Sequence, residues 1–299
     1  MASEKAKYVV EMMRKAKAMP RQTGEIDYAK RRAFTEQRHA QQKTADGVCF
    51  EALELGGVET ECCTPAKLSG EDVILYIHGG GFLTGSARAS RGYGSFLAAE
   101  SGLRVYTVSY RLAPDHPYPA APDDCFAVYR ALLDRRPGRK IALVGGSAGG
   151  NLCLVTALRS KAAGLPLPAA LALYSPVGDQ TDSLPSRRRN DPADCSIHGD
   201  IDQETRATYI LDADPRDPDI SPVYADLTGL PPMLLTVDAD EVLFDDAALL
   251  AAHAQAAGVE AELQIRHGLF HDYPSVGPEL PEAAQVMADT VALLRRCGM

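Results

Sequence analysis

A serine among glycines, Gly145-Gly146-Ser147-Ala148-Gly149, stands where an apolar run (residues 140–145) gives way to an apolar helical stretch, Leu152 to Ala163. In so tight a strand-to-helix turn, side chains at 145 and 149 would collide. Glycine at both positions removes the conflict and leaves Ser147 presented in a strained conformation. A serine hydroxyl is a weak nucleophile until a base takes its proton, and a helix N-terminus favours negative charge building beside it. The competing reading is a small-residue turn kept for packing; the flanking strand and helix weigh against it. A second cluster, His78-Gly79-Gly80-Gly81-Phe82, also follows a strand-like run. Three glycines in a row let the backbone come close to a ligand and turn N–H groups toward it. In acyl transfer such donors stabilise the oxygen that gains charge, each worth about 2.7–4 kcal/mol. A phosphate-binding loop is the alternative, but no Gly-Lys-Ser/Thr follows.

A serine nucleophile needs a base, and the base an acid to hold it. His267 ends the run 261–266, and His271 lies four residues on, in a loop ending at Pro274. As an H-x-x-x-H metal pair they would need a helix, and this segment does not read as one; no metal or other cofactor is expected. Asp238, Asp240 and Glu241 cluster where the run 233–238 ends.

The elements that must carry these residues follow from periodicity. Residues 5–41 read as amphipathic helix, with Val9, Met12, Met13 and Ala16 at helical spacing; the choices are a packed surface helix or a lid over a pocket. From Val48 the pattern turns to strands: a hairpin joined at Gly56-Gly57, then short apolar runs at 73–78, 104–110, 140–145, 171–175, 233–238 and 261–266. Helical stretches at about 89–101, 120–134, 148–163 and 246–257 alternate with them, with Asp245 or Asp246 expected to cap the last. Strand–helix alternation gives a mainly parallel sheet covered on both faces, with its site at the carboxyl ends of the strands. Residues 177–230 break the alternation with Asp, Arg and Pro and read as an insertion over those ends. Within it, Arg187-Arg188-Arg189 reads as a solvated loop rather than an anion site.

Taken together, these motifs resemble the hormone-sensitive-lipase-like branch of the α/β hydrolases, the bacterial esterases with a HGGG motif. The resemblance runs in order through His78 to Phe82, Tyr110-Arg111-Leu112-Ala113-Pro114 with His116-Pro117 and Pro119-Ala120-Ala121, Gly145 to Gly149, Glu241 to Asp245, Ala257-Gly258-Val259 and Gly268 to His271. It implies an α/β-hydrolase fold with an eight-stranded sheet and a helical cap. The core would span 46–176 and 231–299, with 1–45 and 177–230 forming the cap. It also implies oxyanion donors at Gly80, Gly81 and Ala148, with His78 a structural residue behind the loop. The fold supplies serine, acid and histidine in that order, and Gly268-Leu269-Phe270-His271 matches the family's Gly-x-x-His, so the base falls on His271. The family's acid motif, Asp-Pro-Leu-x-Asp, lands its first position on Glu241, its Leu on Leu243 and its last Asp on Asp245. This chain departs from it with Glu for Asp and Val242 for Pro; Asp240 is the alternative acid and Asp238 a more remote one. The implied activity is hydrolysis of esters with short acyl chains, acetyl to hexanoyl, through an acyl-enzyme. The same constellation serves carbohydrate deacetylases, lactonases and amidases. A non-catalytic receptor on this fold would be expected to lack the histidine. Family members often pair through the last strand and following helix, here 261–266 and about 279–297, so a homodimer is expected.

Composition agrees with such an enzyme and excludes other classes. The 299 residues carry a net charge of −9, with 45% apolar and 24% charged residues. An acidic chain argues against a nucleic-acid partner. No apolar run approaches the roughly 18 residues of a membrane span, and residues 1–20 are too charged for a secretory leader. The seven cysteines, irregularly spaced, read as reduced thiols of a cytoplasmic protein.

Overall fold

The computed structural model describes residues 2–20 and 26–299. Its centre is an eight-stranded sheet: β1 Cys49–Leu55, β2 Val58–Thr64, β3 Val73–Ile77, β4 Arg104–Val108, β5 Ile141–Gly146, β6 Leu171–Tyr174, β7 Met233–Asp238 and β8 Ala261–Arg266. The order is β1-β2-β4-β3-β5-β6-β7-β8. Only β2 runs antiparallel to its neighbours β1 and β4; the other pairs are parallel. Parallel neighbours need crossovers, and helices α3 Arg91–Ser101, α4 Ala120–Arg135, α5 Ala148–Ala162, α8 Phe244–Ala256 and α9 Pro281–Arg296 supply them or flank the sheet.

Alternation along the strands divides the core into two layers. On β3, Val73, Leu75 and Ile77 enter one layer with Val128, Leu152 and Leu250 of α4, α5 and α8. Ile74 and Tyr76 enter the other with Leu97 and Val286 of α3 and α9. Central strands must therefore be apolar at every position, which is why they read as short unbroken runs. β8 closes one edge of the sheet, and Ile265 on it is 42% exposed.

The helical stretch expected over 5–41 holds two helices, α1 Glu4–Lys17 and α2 Tyr28–His39. Pro20, which cannot continue a helix, follows the first of them. Asp27 restarts the chain by accepting the Lys30 N–H at 2.9 Å. Residues 177–230 hold α6 Ser186–Arg189, α7 Ile201–Thr205, a π turn over Arg206–Ile210 and a 3₁₀ turn over Pro222–Tyr224. No helix among the described residues is long and apolar enough to cross a membrane.

Candidate active site

β5 ends at Gly146 and α5 starts at Ala148, so Ser147 alone makes the turn, at φ 54° and ψ −121°. Its N–H donates to Tyr174 O at 2.7 Å, and its carbonyl accepts from Val177 N at 3.2 Å. A Cβ on Gly145 would stand 2.6 Å from Gly149 O, and one on Gly149 2.0 Å from Ile77 O. No side chain could pack there, so the glycines are a condition of the turn.

The HGGG loop leaves β3 beside that turn; a Cβ on Gly79 would lie 3.3 Å from Ser147 Cβ. Gly80 and Gly81 have φ of 107° and 64°, and among the described residues no hydrogen bond engages their N–H groups. His78 sits behind them, stacked on Tyr110 at 4.2 Å, with Nδ1 2.7 Å from Gly79 O. Burial pushes its pKa down to about 4, so the ring is neutral.

The loop after β8 places His271 opposite the turn after β7. Its Nδ1 lies 2.7 Å from Glu241 Oε2. Glu241 is 2% exposed, and its other oxygen accepts from Ser175 Oγ and Asp238 N, both at 2.8 Å. Burial works against charge on the His271 ring. The Glu241 hydrogen bond and charge, with Asp272 and Asp194 nearby, outweigh it and carry its pKa above the ordinary histidine value. Asp240 is exposed and offers its backbone N–H to Asp238 Oδ1 at 3.1 Å. Asp238 is buried, holds Leu269 N at 2.9 Å, and is pushed by burial up to about 6. His267 is exposed. Of the three carboxylates at this turn, it is Glu241 that meets His271.

Ser147, His271, Gly80 and Gly81 line one cavity of about 380 Å³, whose walls also come from α2 and from residues 177–205. Among the described residues no cluster of three or more His, Cys, Asp or Glu is arranged to hold a metal ion.

A family profile described as alpha/beta hydrolase fold matches residues 74–275. An esterase of Acinetobacter venetianus is 36% identical over 245 residues, 81% of this chain and 80% of that protein. A putative acetyl-hydrolase of Mycobacterium tuberculosis is 33% identical over 273 residues, 90% of this chain and 88% of its own. The crystal structure of a hormone-sensitive lipase from a metagenome library superposes with a TM-score of 0.92 at 34% identity, covering 99% of each chain. The chain belongs to the hormone-sensitive-lipase-like family of α/β hydrolases.

Within this hydrolase, the segment 186–197 does more than cover the strand ends, and sequence reading missed most of it. Arg187, expected in a solvated loop, is 1% exposed. Its guanidinium donates to Asp202 Oδ2 at 2.8 Å, to both oxygens of Asp246 at 2.6 and 3.1 Å, and to the carbonyls of Val242 and Asp179 at 3.0 and 2.9 Å. Arg188 and Arg189 are exposed, as expected. Asp246 does not cap α8. The helix begins at Phe244 with no side-chain cap, and Asp246 instead accepts the N–H groups of Gly178 and Asp179 at 2.9 and 3.0 Å. Asp245 accepts from Ser186 N at 2.8 Å. Asn190 Nδ2 donates to the carbonyls of Ala239 and Glu241 at 2.9 and 2.8 Å. Asp194, 4% exposed, accepts from Val242 N at 2.9 Å, while Ser196 Oγ accepts from His271 N at 3.2 Å and donates to Asp194 Oδ1 at 3.0 Å. The acid turn and the histidine loop are thus tied to each other through the inserted segment. Asp272, next to His271, was also missed. Its carboxyl packs against Gly146, accepts from Ser275 Oγ at 2.7 Å, and is pushed up to about 7 by burial.

Proposed function

We propose that the protein hydrolyses carboxylic esters of short acyl chains through an acyl-enzyme on Ser147. The observation that carries this is the 2.7 Å contact of His271 Nδ1 with Glu241 in the cavity that Ser147 lines. Glu241 keeps a proton on Nδ1, which leaves Nε2 as the basic nitrogen. Ser147 Oγ attacks the ester carbonyl as His271 Nε2 takes its proton. The tetrahedral oxygen is held by the N–H groups of Gly80, Gly81 and Ala148. The alcohol leaves with the proton from His271. Water then repeats the cycle on the acyl-enzyme, with His271 as base and Ser147 as leaving group.

The names of the relatives, esterase and acetyl-hydrolase, favour small acyl groups, as does a cavity of about 380 Å³, near the lower end for ligand sites. In this reading α1, α2 and residues 177–230 form the cap. The test is turnover of p-nitrophenyl esters of increasing acyl length by wild type and Ser147→Ala. Wild type should turn over acetyl to hexanoyl esters best, and the variant should fold normally and hydrolyse none. More than a tenth of wild-type turnover in Ser147→Ala, or a preference for acyl chains beyond about ten carbons, would sink the proposal.

A further inference from the structure

The wall that residues 177–205 give to the cavity is apolar at Val177, Ile197 and Ile201, and polar at Gln180, Asp202, Glu204 and Thr205. Gln180 lines that wall, is 2% exposed, and its carboxamide nitrogen has no hydrogen-bond partner among the described residues. Asp202, 5% exposed, lines the same cavity. Arg187 links the backbone before Gln180 to the Asp202 carboxylate. Its Nε donates to Asp202 Oδ2 at 2.8 Å, and Nη2, on the same edge of the guanidinium, donates at 2.9 Å to Asp179 O, the peptide that leads into Gln180. The backbone there is fixed from the other side as well, since Gln180 N donates to Ser221 Oγ at 2.8 Å. Burial raises the Asp202 carboxyl to about 6 against the pull of Arg187, so at neutral pH it is mainly ionised and accepts hydrogen bonds.

A buried donor without an acceptor is costly, and folded proteins rarely keep one unless something fills it. The cavity wall thus offers a donor from Gln180 and, from Asp202, a carboxylate that retains lone pairs after pairing with Arg187. The group that matches both is a hydroxyl. We propose that Gln180 and Asp202 form a polar subsite that selects esters bearing a hydroxyl a few bonds from the scissile carbonyl, its oxygen accepting from Gln180 and its proton directed to Asp202. This rests on the ester-hydrolase reading and adds the substrate class. A site built to bond a hydroxyl discriminates strongly against the analogue that lacks it, whereas an apolar pocket separates the same two molecules weakly.

The experiment measures kcat/KM on two size-matched pairs. One carries the hydroxyl on the acyl side, p-nitrophenyl 3-hydroxybutyrate against 3-methylbutyrate. The other carries it on the alcohol side, 2-hydroxyethyl butyrate against n-propyl butyrate. Wild type, Gln180→Leu and Gln180→Met are compared by the ratio within each pair, which cancels any general loss of activity; the Met variant matches glutamine in length should Leu disturb packing. Wild type should favour the hydroxylated member of one pair at least tenfold, and both variants should bring that ratio within threefold of unity. A flat ratio in an active wild type, or a preference that survives both substitutions, overturns the subsite alone and leaves a bound water as Gln180's partner. A wild type inactive on all four esters and on p-nitrophenyl acetate overturns the ester reading, and the subsite with it.

Discussion

Glu241→Gln isolates what the acid contributes. The carboxylate has two differently used oxygens: Oε1 accepts from Ser175 Oγ and Asp238 N, and Oε2 meets His271 Nδ1 at 2.7 Å. A glutamine of the same shape can keep only one oxygen. Two fixed donors claim it, so the NH₂ is left facing Nδ1. A donor there demands that Nδ1 be unprotonated, which moves the ring proton to Nε2, the nitrogen that must take the serine proton. The charge that supports the imidazolium is lost at the same time. Replacing an acid of this kind by its amide can cost about 10⁴ in turnover, equal to about 5.4 kcal/mol of barrier. The expected loss is therefore several hundredfold at least, with about 10⁴ as its ceiling, in kcat more than in KM. The fold should hold, because the two donors to Oε1 keep their acceptor. Asp240→Asn, whose side chain is exposed in the same turn, should cost less than about tenfold, since its tie to Asp238 is through the backbone N–H. The assay is p-nitrophenyl acetate hydrolysis, with circular dichroism to check folding. Retention of a tenth of wild-type kcat in a folded Glu241→Gln, or a larger loss in Asp240→Asn, would refute the assignment and the tautomer argument with it.

Further outcomes concern the proposed base and groups outside the triad. His271 acts as a base only when neutral, so turnover should fall as pH drops through a pKa above the ordinary ~6.5. Asp272, which faces His271, Glu241 and Tyr76, adds negative charge there, so Asp272→Asn should move that acid limb to lower pH; a pH–rate profile with the limb unmoved contradicts this. Arg187→Met would leave the buried carboxylates of Asp246 and Asp202 unpaired; urea unfolding should show a loss of about 3–5 kcal/mol, and a loss below about 1 kcal/mol would show that the pair is dispensable. The exposed edge strand β8, with Ile265 outward, is expected to pair two copies; a monomer mass by light scattering at micromolar concentration would count against it.

What the sequence disclosed, and what it hid, follows from how far apart the causes lie. The turn at Ser147 and the HGGG loop were legible because each is specified within five residues, by glycines whose missing side chains have nowhere to go. The strands were legible because a central parallel strand is apolar on both faces, and α4 and α5 because they separate such strands. The N-terminal helices were legible from their apolar spacing, and Pro20 lies between them as a residue that cannot continue a helix. Arg187 is a different case. Three arginines in succession read as solvated because a buried charge needs partners, and its partners stand 15 and 59 positions away. No window along the chain contains both. One of the two acids explains a second error: an aspartate in the first turn of a helix reads as a cap, but Asp246 instead accepts from Gly178 and Asp179 and holds Arg187. That exchange has a consequence for the site. The residue that fails to cap α8 is the one that anchors the inserted segment, and the inserted segment, through Asn190, Asp194 and Ser196, holds the turn of Glu241 and the loop of His271 in register. Local rules located the groups suited to chemistry; the geometry between those groups is set by a buried charge that local rules assign to solvent.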